Sequence, residues 1–129
     1  MYAQSHLNDP LGAVIARTVM KIIERDDLIT RGREISDMLI KGLVEIKSRT
    51  GKISEIRARG LMAAVELKDD AGAAMTTRTH RQLVQKGYIL VQRPGTNVLR
   101  LDPGLTVEKI DIEGFLKTFE TVLTEFSLD

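Results

Sequence analysis

The sequence predicts an α+β fold, a small and largely antiparallel sheet with helices packed on one face. Three observations carry that reading. Apolar stripes of helical period occupy both ends of the chain. Between them the period drops to two, and a Pro-Gly turn joins two short apolar runs. Runs of helix and strand that segregate in this way build helices onto one side of a sheet rather than a doubly wound fold.

The elements follow in order. Asn8 or Asp9 offers an N-cap and Pro10 suits the first helical position. Leu11, Val14, Ile15, Val19, Ile22 and Ile23 then form a helical stripe, with Arg17, Lys21, Glu24 and Arg25 opposite. Asp26-Asp27 marks a bend. In the second helix Leu28, Ile35, Leu39, Gly42, Leu43 and Ile46 share one face, and Thr50-Gly51 stops it. Gly32 and Gly42 weaken that helix intrinsically, so their place on its apolar face predicts a close helix contact.

From Ile53 the period changes. Leu61, Ala63, Val65 and Leu67 alternate with Met62, Ala64, Glu66 and Lys68, which reads as a strand, or as two strands meeting at Gly60. Residues 69–74 read as a loop, and Thr77 to Lys86 as a short helix ending at Gly87. Tyr88 to Gln92 and Val98 to Leu101 read as a hairpin around Arg93-Pro94-Gly95-Thr96. Thr106 is the expected cap of a last helix whose stripe is Ile112, Phe115, Leu116, Phe119, Val122, Leu123 and Phe126.

The chain has 129 residues, enough for one domain with a real core. No linker divides it, so 1–129 is read as a single domain with 1–9 as a polar leading loop. A net charge of +1 and 4% aromatic residues lack the basic stripe and stacking platforms of a nucleic-acid binder. Without cysteine there is neither a disulfide nor a thiolate metal site. The opening MYAQSHLNDP has no basic n-region and no apolar h-region, and no apolar run reaches the ~20 residues of a membrane helix. The expectation is a cytoplasmic chain. Met1 reads equally as an introduced start or an internal methionine.

The search for chemistry finds no P-loop, nucleophile elbow or paired-histidine metal motif, and no metal site is expected. His6 and His80 share no motif, and His80, between Arg78 and Arg81, is read as a surface or structural residue. Two places remain. Arg100 alternates with Leu99 and Leu101, so if the leucines face the core the guanidinium faces away. It then either points to water or grips a carboxylate with two parallel hydrogen bonds. Gln4 to Pro10 is a donor-rich loop running into a helix N-terminus, which is either an ordinary capped loop or a seat for an anion such as phosphate.

Taken together, four segments carry a resemblance. They are Ser5-His6-Leu7-Asn8-Asp9-Pro10-Leu11-Gly12, Ile23-Glu24-Arg25-Asp26-Asp27-Leu28, Ile53 to Met62, and Asn97 to Thr106. In order and spacing they resemble the C-terminal part of the class III aminotransferases. These are pyridoxal-phosphate enzymes of fold type I that include acetylornithine, ornithine and 4-aminobutyrate aminotransferases. The likeness spans nearly the whole chain. It departs where Ser5-His6-Leu7-Asn8-Asp9 stands in place of a common Thr-Phe-Gly-Gly-Asn, and where Gly104 replaces a frequent second proline.

The resemblance implies a small C-terminal domain of a larger enzyme that moves an amino group from an amino acid to a 2-oxo acid. It implies that Arg100 clamps the substrate carboxylate. It also implies that Ser5 contacts the phosphate of pyridoxal 5'-phosphate across a homodimer interface formed by the 1–9 loop. The family's Schiff-base lysine belongs to a large domain with no matching segment here, so the chain alone is expected to be inactive, with no catalytic residue of its own. The competing expectation is a stand-alone, non-catalytic ligand-sensing or interaction module, in which Arg100 is a surface or regulatory-ligand residue.

Overall fold

The computed structural model describes residues 9–68 and 73–125. Helix α1 (Pro10–Arg25) opens as its sequence dictates: the Asp9 carboxylate accepts from the Leu11 N–H at 2.9 Å, with Pro10 in the first turn. Asp27, in the left-handed region at φ 45°, makes the bend into α2 (Leu28–Thr50). The short Asp side chain tolerates that conformation better than most. Gly51, at φ 64°, ends α2, and its N–H donates to the Lys47 carbonyl at 3.0 Å.

Strands β1 (Ile53–Arg59) and β2 (Met62–Leu67) form an antiparallel hairpin. Gly60 turns it at φ 57°, a conformation that glycine adopts without a side-chain clash. The Ser36 hydroxyl of α2 donates to the Gly60 carbonyl at 2.7 Å and ties the turn to the helix. After α3 (Ala74–Gln85), β3 (Val91–Gln92) and β4 (Val98–Leu101) complete a four-stranded antiparallel sheet in the order β1-β2-β4-β3. Asn97 locks β4 into place. Its carbonyl accepts from the Leu67 N–H at 2.8 Å, and its side-chain amide donates to the Leu67 carbonyl at 3.0 Å. Helix α4 (Lys109–Glu125) closes the described chain.

The expected layers are present. Ala63, Val65, Leu67, Leu99 and Leu101 turn inward and meet Ile35, Leu39 and Leu43 of α2, Leu83 of α3, and Phe119 and Leu123 of α4. Phe115 stacks on Phe119 at 5.6 Å between centroids, and Tyr88 meets Phe115 edge-on at 5.5 Å. Gly42 is the close contact its position announced: a Cβ there would lie 2.4 Å from the Leu116 Cδ1 of α4.

Three boundaries move. Helix α3 starts at Ala74 rather than Thr77, because Ala73 takes the left-handed cap position and its carbonyl accepts from the Thr77 N–H. The strand expected over Tyr88 to Gln92 shortens to Val91–Gln92, because the backbone before it turns to α3: the Tyr88 N–H donates to the Leu83 carbonyl, and His80 Nε2 meets the Leu90 carbonyl at 2.9 Å. Thr106 does not cap α4. A turn from Gly104 to Val107 intervenes, and the Glu108 carbonyl takes the first helical N–H groups.

Helix α1 stands apart. Its stripe is real but buries nothing, and Leu11, Val14 and Ile15 keep 65%, 61% and 54% of their surface. No helix among the described residues is long and apolar enough to cross a membrane.

Candidate functional site

Among the described residues, no helix packs on the sheet's other face. Because side chains alternate along a strand, Arg57, Ala64 and Arg100 all turn outward, opposite the inward leucines and valine. The register sets them in one row: Arg57 pairs with Ala64, Ala64 with Arg100, and Arg100 with Val91. Neighbouring strands lie ~4.8 Å apart, so the Arg57 and Arg100 backbones are about 10 Å apart. Ala64 between them is too small to fill that gap. The result is an open depression of about 320 Å³ with Ala64 on its floor and Arg57, Arg59, Met62 and Arg100 around it.

The three arginines are not equivalent. Arg57 donates through Nη1 to Glu66 at 3.0 Å and also to Glu55. Its hydrogen bonds to Glu66 and then to Glu55 hold its guanidinium above its ordinary pKa. Arg59, at the hairpin's end, has no acceptor among the described residues. Arg100 donates through Nε to Asp102 Oδ2 at 2.5 Å, and the two side chains stay 57% and 35% exposed. A guanidinium with free N–H groups on an exposed face is suited to a planar anion such as a carboxylate.

A second depression, of about 190 Å³, lies where β4 ends, among Leu39, Tyr88, Ile89, Pro103 and Phe115. No lysine lines either depression. Two of the described lysines have partners elsewhere: Lys47 donates to the Ser54 carbonyl at 2.6 Å, and Lys109 pairs with Glu34. Neither depression among the described residues therefore offers an amine that could bond to pyridoxal phosphate. Ser5 and His6 lie outside the described residues. His80 is half-buried and tied to a backbone carbonyl, a structural role. No cluster of three metal-ligating side chains occurs among the described residues.

The family model for aminotransferase class-III matches residues 2–123. The chain belongs to the class-III aminotransferases. It is 30% identical over 114 residues to ornithine aminotransferase 1 of Staphylococcus aureus (strain COL), covering 88% of this chain and 27% of that protein. It is 28% identical over 127 residues to the 4-aminobutyrate aminotransferase GabT of Escherichia coli (strain K12), covering 94% of this chain and 30% of the relative. In fold it matches an amine transaminase from an uncultivated Pseudomonas species, solved with PLP bound, at a TM-score of 0.84 and 23% identity. That match covers 97% of this chain and 30% of the other. The chain thus spans less than a third of the length of these relatives.

Sequence reasoning placed Arg100 on a strand with its neighbours inward, and the structure does the same. It missed two things. Arg57 and Arg59 share the face of Arg100, which the alternation Glu55-Arg57-Arg59 could have revealed. It also passed over Asp102, although opposite charges two apart along an extended chain lie on one face.

Proposed function

We propose that this chain is the C-terminal small domain of a pyridoxal-phosphate-dependent aminotransferase that transfers an amino group from an amino acid to a 2-oxo acid. In this reading Arg100 binds the substrate carboxylate. The observation that carries it is the pairing of family membership with an outward guanidinium on an uncovered sheet face. The cofactor supplies an electron sink when bound. This domain's part is to bind and orient: Arg100 fixes the carboxylate end, and the sheet beneath it keeps that charge rigidly placed.

The lysine that reacts with the cofactor then belongs to another part of a longer polypeptide, and this chain alone is inactive. Ser5 reaches the cofactor phosphate from the leading loop, 1–9, at the contact with a second copy. The apolar stripe of α1 supports this: it leaves Leu11, Val14 and Ile15 more than half exposed, and contiguous exposed apolar surface marks an interaction site. The complete enzyme is a cytoplasmic homodimer.

The test separates this chain from the complete polypeptide. Each is incubated with pyridoxal phosphate, an amino acid and a 2-oxo acid, then reduced with borohydride and digested. The complete polypeptide should turn over and carry one stoichiometrically labelled lysine; this chain should do neither. Turnover with a labelled lysine in this chain alone overturns the division of labour. No transfer by the complete polypeptide with any amino acid donor overturns the function.

A further inference from the structure

Arg100 is held differently from four other paired arginines, Arg25, Arg31, Arg49 and Arg57. Arg25 gives both Nε and Nη2 to Asp26, at 2.6 and 2.8 Å. Arg49 gives the same edge to Glu120, at 2.5 and 3.0 Å. Arg31 spends Nη2 on Glu108 and on the Val107 carbonyl, at 2.8 and 2.9 Å. Arg57 shares Nη1 between two carboxylates. Arg100 alone among them is gripped by Nε only, and among the described residues neither of its terminal amines meets an acceptor.

We propose that Asp102 is a positioning residue for Arg100: it pins the guanidinium by Nε and leaves Nη1 and Nη2 side by side for a ligand's carboxylate. The proposal rests on the reading of Arg100 given above and adds the residue that sets its aim. The alternative is that Asp102 masks Arg100 and competes with the ligand. Geometry speaks against masking. A competitor would take the two-donor edge, as Asp26 and Glu120 do, whereas Asp102 uses one of five donors.

The backbone supports the same view. Arg100 sits on β4, bonded to β2 on one side and β3 on the other, so its Cα is fixed and only the side-chain rotors remain free. Asp102 precedes Pro103, which confines it to an extended conformation. Extension keeps Asp102 on the same face as Arg100, two residues away. The sequence Arg100-Leu101-Asp102-Pro103 thereby encodes both the clamp and its brace. Its negative charge does repel an incoming carboxylate, but on an exposed face water and salt screen that repulsion. The rotor freedom of a long arginine is not screened, and fixing Nε removes much of it before the ligand arrives.

The test uses this chain with ¹⁵N-labelled arginine, titrated with pyruvate and, as the carboxylate-free control, isopropylamine. In the unmodified chain pyruvate should shift the terminal amine resonances of Arg100 saturably and leave its Nε–H in place; isopropylamine should shift neither. Asp102→Ala should weaken the pyruvate response about three- to tenfold, the part of the arginine's rotor freedom that the brace removes. Asp102→Asn keeps an oxygen that accepts from Nε, so it should recover part of the loss; it also decides the matter if the alanine variant fails to fold. An unchanged or tighter response in both variants overturns the proposal and makes Asp102 a bystander or a mask. If Arg100→Ala responds to pyruvate as the unmodified chain does, or if the unmodified chain shows no response, the reading of Arg100 falls and the proposal with it.

Discussion

Leu99 and Arg100 are neighbours in one strand, yet they belong to different worlds. Leu99 is completely buried in the core, and Arg100 stands more than half exposed on a face that no helix covers among the described residues. The same division runs across the whole sheet. One parity of residues is Ala63, Val65, Leu67, Leu99 and Leu101; the other brings Arg57, Ala64 and Arg100 into one row. The difference teaches that stability and recognition are carried here by alternate residues of the same strands. They should therefore separate cleanly under mutation.

The largest effect should come from the covered face. Leu99→Ala removes a fully buried side chain from between helices that cannot all close the gap, and should lose about 2–5 kcal/mol of folding stability in urea. A loss below about 1 kcal/mol would mean that the helices do not pack on the sheet as described. Gly42→Ala probes the same face one layer out. Alanine favours a helix over glycine by about 1 kcal/mol, whereas overpacking typically costs 1–3 kcal/mol. With Leu116 Cδ1 only 2.4 Å from the new Cβ, the net should be a loss of about 1 kcal/mol. The double change Gly42→Ala with Leu116→Ala should show coupling of opposite sign, because the second substitution makes room for the first.

Smaller still should be the effects on α1. Ile15→Ser should change stability in urea by no more than about 0.5 kcal/mol, since that residue is more than half exposed. It should nevertheless weaken the self-association expected of the unmodified chain in sedimentation, because contiguous exposed apolar surface drives such contacts. A clean monomer at high concentration before any mutation would remove the argument that the stripe awaits a partner surface.

Much of this was legible in the sequence, for definite reasons. The period of the apolar residues marked α2 and α4, because their stripes face a real core. The glycine at 42 announced a helix contact through its position on the stripe. What stayed hidden depended on contacts that no local pattern carries. The strand over Tyr88 to Gln92 looked continuous, but Tyr88 and Leu90 give their backbone groups to α3 and His80. The threonine at 106 looked like a cap because nothing local revealed the turn before Lys109. The stripe of α1 was legible as a stripe, and tertiary structure adds that none of its residues is fully buried among the described residues. At the site, alternation placed Arg100 outward, but the row it forms with Arg57 depends on β4 pairing with β2 rather than standing at the edge.

The central claim is that Arg100 grips a substrate carboxylate, and Arg100→Lys in the complete polypeptide tests it most directly. Lysine keeps the charge and loses the two-pronged grip. A charge-assisted hydrogen bond is worth about 1.5–3 kcal/mol, so the specificity constant for a carboxylate-bearing amine should fall roughly 10- to 100-fold. Most of the fall should be in KM, because the carboxylate is held alike in the ground state and the transition state. A carboxylate-free amine should react as before, and the thermal midpoint should hold. Equal losses with both amines, or a variant that unfolds, would show that Arg100 serves the fold and not the substrate.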